Sequence, residues 1–157
     1  MVQIIGIDPG LVDTGLVYFE FYPQNKQYRI QHHVVENLDF NEIEDWCKNR
    51  PVNSIFIEAY RPRSHFQNDA RMGTAINELK HRLPKAVTLD NTGVKKVIKP
   101  DLMKLLGVWQ FKTSTHHQDL RAAARIGLYG LVKNVEWNPI LAQLVMDHLD
   151  GKPWVRQ

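Results

Sequence analysis

The sequence has little of several features that would assign it to particular classes of protein. Its single cysteine, Cys47, has no partner in the chain for an internal disulfide. No stretch approaches the ~18 consecutive apolar residues of a membrane span. The N-terminus lacks the basic segment and apolar core of a secretory signal. We therefore expect no membrane partner and a reducing, cytoplasmic location.

Internal repeats, low-complexity segments and linker-like stretches are also missing. A chain of 157 residues with 43% hydrophobic and 24% charged residues is the size of one globular domain, predicted over 1–157. The formal net charge of +3 is only mildly basic. It is compatible with a polyanionic partner but does not demonstrate one, so the distribution of charge matters more than its sum.

Five short apolar segments rich in β-branched residues predict strands, and amphipathic segments between and after them predict helices. The predicted strands are 4–8, 15–21, 27–36, 54–58 and 86–90; the main predicted helices are 37–50, 66–83, 116–132 and 138–149. The first three strands form an antiparallel meander, and the last two are reached through helical crossovers. The predicted fold is α/β: a five-stranded mixed sheet, three antiparallel then two parallel strands, flanked by helices. A doubly wound parallel sheet is the alternative.

Carboxylates end two of the predicted strands. Asp8 follows the first strand at a Pro-Gly turn, and Glu58 closes the fourth. Right-handed crossovers place successive parallel strands side by side, so we expect both carboxylates at the same edge of the sheet. Asp13 and Asp90 lie in a turn and a loop, where a turn-forming role is the better interpretation.

The predicted helix capped by Thr115 carries His116 and Asp119 at i and i+3, which places them on one face. His117 is rotated by about 100° and is not expected to enter the same site. Small and apolar residues would let this helix dock closely on the sheet: Leu120, Ala123, Ala124, Gly127, Leu128 and Leu131. Docking would bring His116 and Asp119 to the two strand-end carboxylates.

Three carboxylates and one imidazole gathered together are costly without a cation, which predicts a divalent metal site. Oxygen ligands suit Mg²⁺ or Mn²⁺, and two such ions ~3.5–4 Å apart can activate water and stabilise the leaving oxygen of a phosphodiester. These residues therefore predict a nuclease without a small-molecule cofactor. A nitrogen ligand at His116 is better matched to Mn²⁺; alternatively, His116 is a base or, when charged, contacts a phosphate.

Basic residues flank these positions in two groups with few acids to neutralise them. The group that follows Glu58 is Arg61, Arg63, His65 and Arg71. The group that precedes the helix with His116 and Asp119 is Lys95, Lys96, Lys99, Lys104 and Lys112. Phosphate contact is favoured for Lys95, Lys96 and Arg61, and an ordinary solvated face for Lys104. Arg121 and Arg125, at i and i+4, either contact DNA or pair with surface acids.

Three stretches, in this order, resemble the RuvC family of Holliday junction resolvases. They are Ile5-Gly6-Ile7-Asp8-Pro9-Gly10 with Thr14-Gly15, then Ile55-Phe56-Ile57-Glu58, then His116-His117-Gln118-Asp119-Leu120-Arg121-Ala122-Ala123. The resemblance implies the RNase H-like fold and a four-residue site at Asp8, Glu58, His116 and Asp119. Histidine departs from the commonest, acidic residue at its position, although some members carry it. The compact length is similar to that of phage-encoded members.

This resemblance further implies a crossover junction endodeoxyribonuclease, acting as a homodimer in a bacterial or phage-infected cytoplasm. Such an enzyme binds four-way DNA junctions and makes paired nicks, one at each two-metal site. An aromatic wedge is expected after Glu58, from Tyr60 or Phe66, although packing explains Tyr60 equally well. The expected DNA-binding residues are Tyr60, Arg61, Arg63, Phe66, Lys95, Lys96, Lys99 and Arg121.

Two further functions remain open at this point. The same metal site could cut other branched DNA such as forks or flaps, or the chain could be a non-catalytic, structure-specific DNA-binding module. Actin-like kinases also begin with a strand ending at an Asp-Gly-like turn. They need glycine-rich phosphate loops and a much longer chain, and the sequence has neither.

Overall fold

The computed structural model describes residues 1–59, 67–112 and 114–157, with the backbone alone for 67–69. The described residues form six strands and six helices. The strands are β1 (Val2–Asp8), β2 (Asp13–Tyr22), β3 (Gln27–Glu36), β4 (Ser54–Ala59), β5 (Ala86–Asp90) and β6 (Val155–Arg156). The helices are α1 (Phe40–Lys48), α2 (Gln67–Arg82), α3 (Val94–Val97), α4 (Pro100–Leu106), α5 (His117–Lys133) and α6 (Asn138–Leu149).

The strands form one mixed sheet in the order β5-β4-β1-β2-β3-β6. The meander β1-β2-β3 is antiparallel, whereas β4 runs parallel to β1 and β5 runs parallel to β4. This arrangement confirms the predicted mixed sheet of three antiparallel and two parallel strands. It also excludes a doubly wound parallel sheet.

A sixth strand, β6, extends the sheet beyond the five that the sequence predicts. It pairs parallel to the start of β3 through only two residues, too few for a hydrophobic period to be visible. The neighbouring Trp154 is buried and its indole Nε1 donates to Asp147 Oδ2 at 2.7 Å. Lys26 Nζ lies 3.4 Å from the same carboxylate oxygen, so Asp147 ties the C-terminal segment to α6 and to the β2–β3 turn.

Each face of the sheet packs on its own hydrophobic core. Successive side chains of a strand point to opposite faces. Ile4 of β1 therefore joins the core formed with α4, α5 and α6, while Ile5 and Ile7 join the core under α1 and α2. Within the described part of the chain, no helix has the length and apolar character needed to cross a membrane. The central strand β1 thus reaches the site rigidly supported from both sides.

Candidate active site

Asp8 and Glu58 lie side by side at one edge of the sheet. In the parallel pairing of β1 with β4, the last paired residues are Ile7 and Ile57. Asp8 and Glu58 are the next residues of the two strands, so they lie side by side just beyond this pairing. Asn91, just beyond β5, donates from Nδ2 to Glu58 Oε1 at 2.8 Å and fixes that carboxylate. Sequence reasoning missed Asn91, because a turn-like Asn-Thr-Gly carries no sign of which carboxylate it contacts.

Helix α5 docks on this end of the sheet without a layer of side chains between the two backbones. A Cβ on Gly6 of β1 would lie 2.0 Å from the carbonyl oxygen of Ala123, and one on Gly15 of β2 would lie 2.4 Å from that of Asp119. On the helix, a Cβ on Gly127 would lie 3.3 Å from the Gly6 backbone. The close docking predicted from the small residues of α5 is therefore present, and it carries Asp119 to the sheet edge.

Among the acidic residues at this edge, Asp8 has the most strongly shifted pKa. Burial, contact with the Glu58 carboxyl and the nearby charge of Asp119 raise the pKa of Asp8 to about 9. A shift in this direction means that ionising all three groups together is unfavourable in the protein alone. Asp8 therefore contacts the Glu58 carboxyl and lies within reach of the charge of Asp119, whereas the close group of metal-ligating atoms among the described residues is formed by Asp13, His116 and Asp119.

His116 stands at the more exposed side of the acidic group, with 38% of its side chain exposed. Its Nδ1 lies 3.6 Å from Asp119 Oδ2 and also 3.6 Å from Asp13 Oδ2. Burial raises the pKa of Asp119, the charge of Asp13 raises it further, and His116 opposes both effects. The interpretation of Asp13 as a turn-forming residue alone is wrong, because as the first residue of β2 it faces the N-terminus of α5.

The helix begins one residue later than predicted. His116 occupies the N-cap position of α5, and its backbone N–H donates to Ser114 Oγ at 3.0 Å, so Thr115 is not the cap. His117 turns away from the site, and its Nδ1 accepts from the backbone N–H of Phe111 at 3.0 Å. Asp90 does form the expected local turn, since its Oδ1 accepts from the backbone N–H of Thr92 at 2.8 Å.

A basic groove of about 840 Å³ opens beside Glu58, between α5 and the segment around α3. The predicted DNA-contacting residues Lys95, Lys96 and Arg121 line it, together with Arg125. Arg121 donates from Nε to the carbonyl oxygen of Trp109 and stacks over that ring, 4.1 Å from its centre. Arg125 Nε is buried without a hydrogen-bond partner among the described residues.

Lys99 is the one predicted DNA-binding residue among those that the structure describes that does not line this groove. Lys99 is exposed at the N-cap of α4. Tyr60, Arg61, Arg63 and Phe66 lie outside the described residues. The predicted aromatic wedge and the predicted phosphate contacts of Arg61 and Arg63 therefore stay predictions, whereas Arg71 of the same basic group is described and lies exposed on α2.

The chemistry of the donor set fits a divalent cation. Ligand atoms of Asp13, His116 and Asp119 lie within 4.8 Å of one another, and burial together with the nearby carboxyl groups of Glu58 and Asp119 raises the pKa of Asp8 and disfavours its ionised form. A cation at this place would favour the ionised carboxyl groups and remove that cost. The residues present can thus hold a metal ion.

The fold and these acidic groups define an α/β chain that has a six-stranded mixed sheet and a candidate metal centre at the edge where β1 and β4 end. Among solved structures, it is similar to the Thermus thermophilus RuvC structure, with a TM-score of 0.64, 14% identity and coverage of 81% of this chain and 92% of that one. T. thermophilus RuvC in complex with Holliday junction substrate gives a TM-score of 0.62 at 13% identity, covering 85% of this chain and 97% of that one. The complex of Fowlpox virus resolvase with Holliday junction DNA gives a TM-score of 0.50 at 12% identity, covering 82% of this chain and 96% of that one. No protein-family model and no curated protein matches the sequence. At these identities the likeness establishes the fold alone.

Proposed function

We propose that this chain is a metal-dependent endonuclease of the RuvC type that resolves four-way DNA junctions. The observation that carries the proposal is the convergence of Asp8, Glu58 and Asp119 at the sheet edge of a RuvC-like fold. The resolvase structures to which the chain is similar include complexes with Holliday junction DNA. We extend that substrate to this chain.

In this proposal Asp8, Glu58, His116 and Asp119 hold the metal, as two ions of Mg²⁺ or Mn²⁺. The ions supply an activated water and stabilise charge on the leaving oxygen of the phosphodiester. Because imidazole nitrogen suits Mn²⁺ better than Mg²⁺, the presence of His116 favours higher activity in Mn²⁺. Asn91 keeps the Glu58 carboxylate oriented toward the site through its amide hydrogen bond.

The groove beside Glu58 provides the surface for the DNA strand. Lys95, Lys96, Arg121 and Arg125 line it, and phosphate contacts by such residues position a nucleic acid without reading its sequence. The stacking of Arg121 on Trp109 fixes the guanidinium plane before DNA binds, which reduces the entropy lost on binding. A homodimer would present two such sites to one junction and make paired nicks. Its setting would be the bacterial or phage-infected cytoplasm predicted above.

The test compares nicking of a synthetic four-way junction with that of a fork, a flap and a linear duplex, in Mg²⁺ and in Mn²⁺. The proposal predicts paired nicks in strands of like polarity on the junction, faster than on the other substrates. Faster cleavage of forks or flaps would mean that the substrate is another kind of branched DNA. Tight junction binding with no cleavage in either metal would mean that the chain is a DNA-binding module and not an enzyme.

A further inference from the structure

Asp13 lies outside the four-residue site that the resemblance implies, yet the structure holds it firmly beside that site. It begins β2, where it is opposite Glu36 of β3. The preceding turn is closed by Thr14, whose Oγ1 accepts from the Gly10 N–H and donates to the Gly10 carbonyl, both at 3.3 Å. A Cβ on Gly10 would lie 2.2 Å from the Asp13 carbonyl oxygen, so the turn packs directly against Asp13. The carboxylate is therefore presented from a rigid part of the fold.

Asp13 faces His116 at the same distance as Asp119 does. Oδ2 of each aspartate lies 3.6 Å from His116 Nδ1, which is too long for a hydrogen bond. One ligand atom from each of the three residues lies within 4.8 Å of the other two. Two carboxylates therefore meet one half-exposed imidazole at ion-pair distance, and neither contact has the length of an ordinary hydrogen bond.

The separations and the charges both fit ligands of one ion. Ligand atoms about 2.1 Å from a six-coordinate ion lie about 3.0 Å apart when adjacent and about 4.2 Å apart when opposite. The two observed distances from His116 Nδ1 to the aspartate oxygens, both 3.6 Å, lie within this range. Asp8, Glu58 and Asp119 can supply at most three negative charges to bound divalent ions, because His116 binds a metal as the neutral imidazole, and Asp13 would add a fourth.

We propose that Asp13 is a further metal ligand, which acts with His116 and Asp119 on the exposed side of the site and supplies the fourth negative charge. Asp8 and Glu58 then hold the metal on the buried, sheet side. The inference rests on the proposed function only in that both require a divalent cation. It gives the Asp13 side chain a role in metal binding, in addition to the position of Asp13 at the start of β2 beside the turn.

The test measures Mn²⁺ binding to the full chain by isothermal titration calorimetry, with MnCl₂ alone as the titrant and no DNA. Asp13→Ala removes the ligand atoms, and Asp13→Asn removes the charge while keeping the shape. Asp45→Asn, on the exposed surface of α1, is the matched control. We expect at least a tenfold loss of affinity in Asp13→Ala, a loss in the same direction in Asp13→Asn and wild-type affinity in the control.

A second readout is the rise in melting temperature that Mn²⁺ produces, which should shrink in both Asp13 variants, while their melting temperatures without metal show that they are folded. Mn²⁺ affinity in Asp13→Ala equal to that of Asp45→Asn would overturn this inference and leave the nuclease proposal standing. Failure of the wild-type chain to nick a junction would overturn the nuclease proposal. The assignment of Asp13 would then be judged by the calorimetry alone.

Discussion

Replacing Gly6 with alanine should separate α5 from the sheet, because Gly6 is where the two backbones meet. The new methyl carbon would lie 2.0 Å from the carbonyl oxygen of Ala123 and 2.8 Å from the backbone nitrogen of Gly127. Ordinary contact begins near 3.4 Å, so the helix would have to move outward by about 1.4 Å. Overpacking a core costs about 1–3 kcal/mol. Since both neighbours are backbone atoms that cannot rotate aside, we expect a loss of about 3 kcal/mol.

The same displacement would also disturb the candidate site, because α5 carries Asp119 toward Asp8. Misplacing a catalytic group by about 1 Å can cost roughly a hundredfold in rate. We therefore expect Gly6→Ala to lower junction cleavage by about that factor even at temperatures where the variant is fully folded. Cleavage that falls only in proportion to the unfolded fraction would contradict this link between helix docking and the site.

Urea unfolding of wild type and variant measures the loss of stability, with Gly73→Ala as the matched control. A Cβ on Gly73, in the exposed part of α2, would meet nothing within 4 Å. Alanine is favoured over glycine inside a helix, so the control should gain roughly 0.5–1 kcal/mol. A Gly6→Ala variant as stable as wild type would refute the close docking of α5.

Two further substitutions test other parts of the structure. Arg125→Ala should weaken junction binding and reduce the slope of log affinity against log salt concentration by about 0.7–0.9, the value of one phosphate contact. The control is Arg29→Ala, which should leave this slope unchanged because the Arg29 side chain pairs with Glu20. Hydrogen bonds from Trp154, then Gln143, and the charge of Lys26 lower the pKa of Asp147. The stability that these contacts provide is present above the ordinary aspartate pKa of 3.8 and is lost as the pH falls through the lowered value. Thermal unfolding should therefore give Asp147→Asn a lower melting temperature than wild type at pH 7, and the difference in melting temperature should shrink in acid. A difference in melting temperature that does not depend on pH would contradict this role.

The sequence predicted the parts of the site that follow from local pattern and chain topology. The predicted pairing of Asp8 with Glu58 follows from two patterns: each ends a short apolar segment, and parallel strands joined by a crossover bring their ends together. The small residues of α5 indicated close docking, and Gly6 and Gly127 provide it. These inferences need only strand ends and helix faces, which sequence patterns record well.

Contacts that depend on how separate loops meet in space could not be predicted. Asp13 sits in a turn-like stretch and becomes a neighbour of His116 only after α5 has docked on β2. Asn91 reaches Glu58 from beyond a different strand. The strand β6 has two residues and pairs only because Trp154 and Asp147 hold the segment in place. Each of these features arises from tertiary packing rather than from a local preference.

The most direct test of the central claim is cleavage of a four-way junction by Asp8→Asn, measured beside its binding of the same junction. This substitution keeps the size of the side chain and removes the carboxyl group that would ionise and bind the metal. The proposed metal site predicts that the variant binds the junction as wild type does and no longer cleaves it in Mg²⁺ or Mn²⁺. Full cleavage by Asp8→Asn would contradict the account.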